Sequence, residues 1–152
     1  MAGEDARAEL LACCGARIWA QRMTESRPFH RGEDLLDAAD RIWQELSEED
    51  WLEAFAAHPR IGAQASGQAA AEQAGARGAL PETLAALARA NREYEECFGY
   101  IFIVCASGRS AEEMLDLCRR RLHNEPREEL QVAAEEQRKL TRLRLEKWLS
   151  SI

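Results

Sequence analysis

The chain has 152 residues, 46% hydrophobic and 31% charged, with a formal net charge of −7. That is a globular mixture, long enough to bury one core. The negative charge argues against a general nucleic-acid binder, whose affinity comes from neutralising phosphates. No apolar run approaches the ~20 residues that a bilayer demands, and the N-terminus lacks a basic-plus-apolar signal pattern. The five cysteines are odd in number, form no CxxC pattern and include the adjacent Cys13 and Cys14. Such thiols read as reduced, small core residues of a cytoplasmic protein.

Residues 4 to 23 carry Leu10, Leu11, Cys14, Ile18 and Trp19 at a spacing that predicts one amphipathic helix. Thr24 to Glu33, with Pro28 and Gly32, reads as a loop. A second helix is expected from about Asp34, its stripe formed by Leu35, Leu36, Ala39, Ile42, Trp43 and Leu46. Ser47 can cap a third, short helix with Asp50 in its first turn, where negative charge is favoured. Pro59 disfavours helical backbone at His58, so this helix should stop there, and Gly62 suits the turn beyond. An imidazole at an abrupt helix end is well placed for acid/base work.

Residues 62 to 80 are rich in Ala, Gly and Gln. Neither flank alone has enough large apolar residues for a core, so one domain over residues 1–152 is expected, with a short helix near Gln68 to Ala74. Pro81 suits the first turn of a long helix. Its face is Leu84, Leu87, Ala88, Asn91, Tyr94 and Glu95, and it should end by Gly99. Residues Tyr100 to Ala106 have strong β character but no second strand to pair with. Two readings stay open here: a buried helix start, or an extended segment whose peptide groups need side-chain or ligand partners. Ser110 with Glu113 matches a capping box and opens a helix ending near His123-Asn124. A last helix runs from about Arg127 to Leu149. The fold class is all-α, a single-domain bundle of about seven helices with one extended segment near residues 100–106.

Two residues look out of place. In the last helix Leu130, Ala133, Gln137, Leu140 and Trp148 share a stripe, and Arg144 falls in its middle. A guanidinium there needs an acceptor: a buried carboxylate, solvent reached by snorkelling, or an anionic ligand. Glu72, beside Gln73, is the only carboxylate in an alanine-rich stretch, and read alone it is equally an ordinary surface glutamate. The histidines at 30, 58 and 123 have no metal-ligand spacing, so no metal site is expected.

Several segments in order resemble one family: Leu11-Ala12-Cys13-Cys14 through Trp19-Ala20, Arg27-Pro28-Phe29, His58-Pro59-Arg60-Ile61-Gly62, Glu72-Gln73, Asn91-x-x-Tyr94, Phe98 to Ala106, Arg121-Leu122-x-Asn124 and Lys139-Leu140-x-x-x-Arg144-Leu145. The chain is similar, over nearly its whole length, to the 2-oxo-4-hydroxy-4-carboxy-5-ureidoimidazoline (OHCU) decarboxylases of urate breakdown, which yield (S)-allantoin. The resemblance implies a carbon–carbon lyase that uses no metal or organic cofactor and acts on a small ureidoimidazoline, with homodimers frequent. By motif, it assigns catalysis to His58, Glu72 and Arg144. It assigns substrate contact to Pro59, Ala69, Gln73, Phe102, Ile103, Val104, Cys105 and Ala106. One departure stands out: a serine is common three residues before the glutamate, where this chain has Ala69, with Ser66 three residues earlier. The alternatives are a non-catalytic helical interaction module, with Glu72 and Arg144 as a structural ion pair, and a decarboxylase of a related ureido compound.

Overall fold

Helix boundaries follow local chemistry in the computed structural model, which describes residues 2–59 and 79–151. Among these are seven helices: α1 (Gly3–Cys13), α2 (Arg17–Glu25), α3 (Gly32–Glu45), α4 (Glu48–Ala56), α5 (Pro81–Phe98), α6 (Ala111–Arg121) and α7 (Pro126–Ser151). No strand occurs among the described residues, so the all-α expectation holds. The short helix expected near Gln68 to Ala74 lies outside the described residues. The chain divides into two compact units, Met1–Ala57 with Gln137–Ile152, and His58–Glu136.

In the first unit the Ser47 hydroxyl accepts from the Asp50 backbone N–H at 3.3 Å, the predicted cap of α4. Trp19, Leu10, Met23, Phe55 and Leu145 are fully buried here. Buried indoles need acceptors as well as contacts. Trp19 Nε1 donates to the Ala39 carbonyl at 3.2 Å and Trp51 Nε1 to that of Trp43 at 2.9 Å.

The single helix expected over residues 4 to 23 is instead two. After the Cys14 N–H closes on Leu10, Cys14 and Ala16 take extended backbone, and α2 starts afresh at Arg17. Gly15 explains the break. A Cβ built there would stand 2.5 Å from the Ala57 Cβ, so the backbone passes too close to the end of α4 for any side chain. A continuous helix also pays no attention to such a long-range approach, which is why periodicity alone missed it.

In the second unit Pro81 occupies the first turn of α5, and Gly99 closes it in the left-handed conformation (φ 85°), its N–H bonded to Glu95 O. That is the geometry glycine supplies at a helix C-terminus. The α5 face departs from expectation at one place: Ala88 is exposed, while Leu87, Ala90, Asn91 and Tyr94 are buried. Ser110 and Glu113 form the reciprocal capping box that opens α6. The core joins Leu87 and Tyr94 of α5 to Met114 and Cys118 of α6, with Phe102 and Val104 between them in sequence. Residues 101–106 are neither helix nor strand. Of the two readings left open, the extended segment is the one observed.

Candidate functional site

Each residue singled out in the sequence has a definite place or lies beyond description. His58 follows the last turn of α4 in a bend, half-buried, with Pro59 half-buried next to it. The helix ends at Ala56, so the proline does its predicted work within two residues of the expected stop. Ala69, Glu72 and Gln73, with Ser66, lie outside the described residues. His58, Pro59 and the segment Phe102 to Ala106 belong to the second unit and Arg144 to the first.

Arg144 is half-buried on α7, on the stripe where Gln137 and Leu140 are buried. Its Nη1 donates to the Cys13 carbonyl at 3.4 Å, a long and therefore weak bond. Cys13 is the last residue of α1, so the guanidinium meets a helix C-terminus, where cations are favoured. Beside it the Cys14 thiol is pushed up to about 11 by burial, an effect reduced by hydrogen bonds from Ala16 and Thr141 and by the Arg144 charge.

The extended segment is held by side chains rather than by a ladder. Arg121 Nη1 donates to the Ile103 carbonyl at 2.7 Å. Glu136 accepts from the Cys105 N–H at 3.1 Å, and Arg109 Nε donates to the Cys105 carbonyl at 3.1 Å. The Arg109 backbone N–H closes the turn on Ala106 O. Among the described residues, the peptide groups of Phe102 and Val104, both buried, make no hydrogen bond. Buried peptide groups rarely stay unpaired, so these two call for partners beyond the described residues.

Behind this segment lies a buried polar cluster that periodicity missed. Glu129, fully buried in the first turn of α7, accepts from Arg121 Nε, from Arg121 Nη2 at 2.6 Å and from Asn124 Nδ2 at 3.1 Å. The Tyr94 hydroxyl donates to the same carboxylate. Burial and that bond to Glu129 hold the Tyr94 phenol well above its ordinary value. Burial works against the Arg121 charge, yet the hydrogen bonds and charge of Glu129 outweigh it and raise the guanidinium further. The Arg121 guanidinium also lies over the Phe102 ring, its Cζ 4.6 Å from the ring centroid. The signal was available on the helical wheel, since Glu129, Ala133, Glu136 and Leu140 recur at helical spacing.

The chain's likeness to known proteins runs along its length. The family model for OHCU decarboxylase matches residues 1–146. The uric acid degradation bifunctional protein TTL of Arabidopsis thaliana is 39% identical over 97% of this chain, which spans 48% of that protein. A 2-oxo-4-hydroxy-4-carboxy-5-ureidoimidazoline decarboxylase of Amia calva is 45% identical over 58 residues, 38% of this chain and 33% of that protein. The chain thus spans about half or less of these two relatives. Among solved structures, that of an OHCU decarboxylase in the presence of (S)-allantoin is 40% identical, with a TM-score of 0.86 over 93% of this chain and 97% of that one.

Proposed function

The chain belongs to the OHCU decarboxylase family, and on that premise we propose that it converts 2-oxo-4-hydroxy-4-carboxy-5-ureidoimidazoline to (S)-allantoin. The observation that carries this reading is the 40% identical structure in the presence of (S)-allantoin, matched over 97% of its length. The reaction is that of a carbon–carbon lyase, and it needs no cofactor. The bond to the carboxylate breaks and CO2 leaves. Its electron pair stays on the ring carbon, spread into the adjacent C=N and carbonyl, until a proton arrives on one face.

His58 bonds the hydroxyl or carboxylate and exchanges the proton, since an imidazole titrates near neutrality. Glu72 holds the ureido N–H groups or orients that imidazole. Arg144 binds a ring or ureido carbonyl and stabilises the charge developing there. Pro59, Gln73, position 69 and the peptide groups of residues 102–106 complete the recognition. The peptide groups of Phe102 and Val104, which have no hydrogen-bond partner among the described residues, support this last assignment. The same reading carries one domain over the chain, a homodimer and a cytoplasmic place of action.

Two measurements test it. The protein is added to freshly generated substrate and product chirality is followed by circular dichroism; the expected outcome is (S)-allantoin formed faster than the spontaneous reaction. Racemic allantoin at the spontaneous rate would sink the decarboxylase reading. His58→Gln should then lower turnover by at least ~100-fold, the scale of a lost general acid/base, while the thermal melt stays near that of the parent. A folded His58→Gln protein with full activity would remove His58 from the mechanism.

A further inference from the structure

A backbone segment that meets a ligand without a sheet to brace it needs another source of rigidity. Residues 101–106 have no strand partner among the described residues, and the side chain that grips them at two successive residues is Arg121. Its guanidinium lies over the Phe102 ring, and Nη1 bonds the Ile103 carbonyl at 2.7 Å. The rest of its fork is committed to Glu129, through Nε at 3.0 Å and Nη2 at 2.6 Å, with Tyr94 near Nη2 at 3.5 Å.

We propose that Arg121 is a positioning residue for substrate recognition, anchored by Glu129 and Tyr94: it sets the course of residues 102–106, and so the placement of the Phe102 and Val104 peptide groups, without touching substrate. This rests on the reading of that segment as a substrate contact.

Three physical points support it. A buried ion pair adds little stability over a well-packed apolar replacement, so stability alone gives weak reason for one in this core. The pair is matched to its helices, Arg121 in the last turn of α6 and Glu129 in the first turn of α7, which lowers the cost of holding it there. Only a planar fork can bond a carboxylate on one edge and a peptide carbonyl on the other while stacking on a ring. A lysine offers one point of charge and must choose between them.

The test uses two variants of the full chain. Arg121→Met/Glu129→Leu removes the buried pair as a unit and conserves volume; Arg121→Lys keeps the charge and loses the fork. In both, the melt should remain cooperative. The KM for the ureidoimidazoline should rise about tenfold, the scale of one or two lost hydrogen bonds, and kcat should stay within about threefold, the pattern of lost binding rather than lost chemistry. Parental KM in a folded variant of either kind overturns the proposal. If the double variant does not fold, Arg121→Lys decides alone. An unfolded Arg121→Lys overturns it too, because the fork would then serve stability. Should the parent protein show no enantioselective turnover, the decarboxylase reading has failed separately, and amide hydrogen exchange takes over as the readout. Arg121→Lys should then speed exchange at residues 102–106 by about tenfold while α5 keeps its protection; equal protection in both proteins would end the positioning claim.

Discussion

Arg121 and Arg144 each donate to a backbone carbonyl, one in each compact unit, under contrasting conditions. Arg121 is 7% exposed, meets Ile103 O at 2.7 Å and shares a carboxylate with a tyrosine and an asparagine. Arg144 is half-buried and meets Cys13 O at 3.4 Å, next to a buried thiol. The difference separates two uses of one side chain. A dry guanidinium must be satisfied at every donor and therefore fixes what surrounds it. A half-buried one can also reach solvent, so a single long contact fixes less of what surrounds it.

The largest expected effect follows directly. Glu129→Ala strands the Arg121 charge in the core and should cost ~3–5 kcal/mol in urea unfolding, the scale of breaking a buried pair. Arg144→Met should stay within about 1 kcal/mol of the parent, as expected for a partly solvated charge, while losing substrate turnover. Equal stability losses in the two variants would erase the distinction. A fully active Arg144→Met would favour the rival in which this arginine is only structural.

The same pair shows what the sequence can reveal. Arg144 stood out because it interrupts an apolar stripe in mid-helix, where charge has no ordinary reason to be. Arg121 and Glu129 did not. A run of three arginines closes α6, and acidic residues open α7, the usual polarity of helix ends. Their local charge was thus fully explained, and burial added a second reason that only the fold exposes. Helix ends were legible wherever chemistry is local: Ser47, the Ser110–Glu113 box, Pro81 and Gly99. The extended piece was legible as two alternatives, because β-branched and aromatic residues suit any buried backbone. The break at Cys14 to Ala16 was not legible. Its cause is Ala57, some forty residues along the chain.

That break gives the next test, at a site far from charge. Gly15→Val places a branched side chain where the Ala57 Cβ stands 2.5 Å from the new Cβ. Neither partner is a flexible side-chain end, so backbone must move, and the loss should reach ~2–3 kcal/mol, the upper part of the overpacking range. Gly15→Ala should show a smaller loss of the same sign. Parental stability in Gly15→Val would mean that the α1–α2 junction has slack, and the account of the broken helix would need another cause.

The smallest effect compares the two units through their thiols. Burial pushes Cys14 of the first unit up to about 11 and Cys118 of the second up to about 12, from an ordinary 9.0. A thiol is neutral when protonated, so between those limits the folded state holds a proton that the unfolded state has released. Stability is therefore intact below pH 9 and falls as pH rises through the window, ending near 11 for Cys14 and near 12 for Cys118. At pH 10 each thiol should account for about 1 kcal/mol of loss in a denaturant titration. Cys14→Ala and Cys118→Ala each remove one share of this slope while adding a cavity cost that does not vary with pH. The exposed Cys97 provides the control, since it should react with a thiol reagent in the native protein while Cys14 and Cys118 wait for unfolding. If Cys14 were modified as fast as Cys97, the α1–α2 junction would be open to solvent. The first unit would then be the looser of the two around its half-buried arginine.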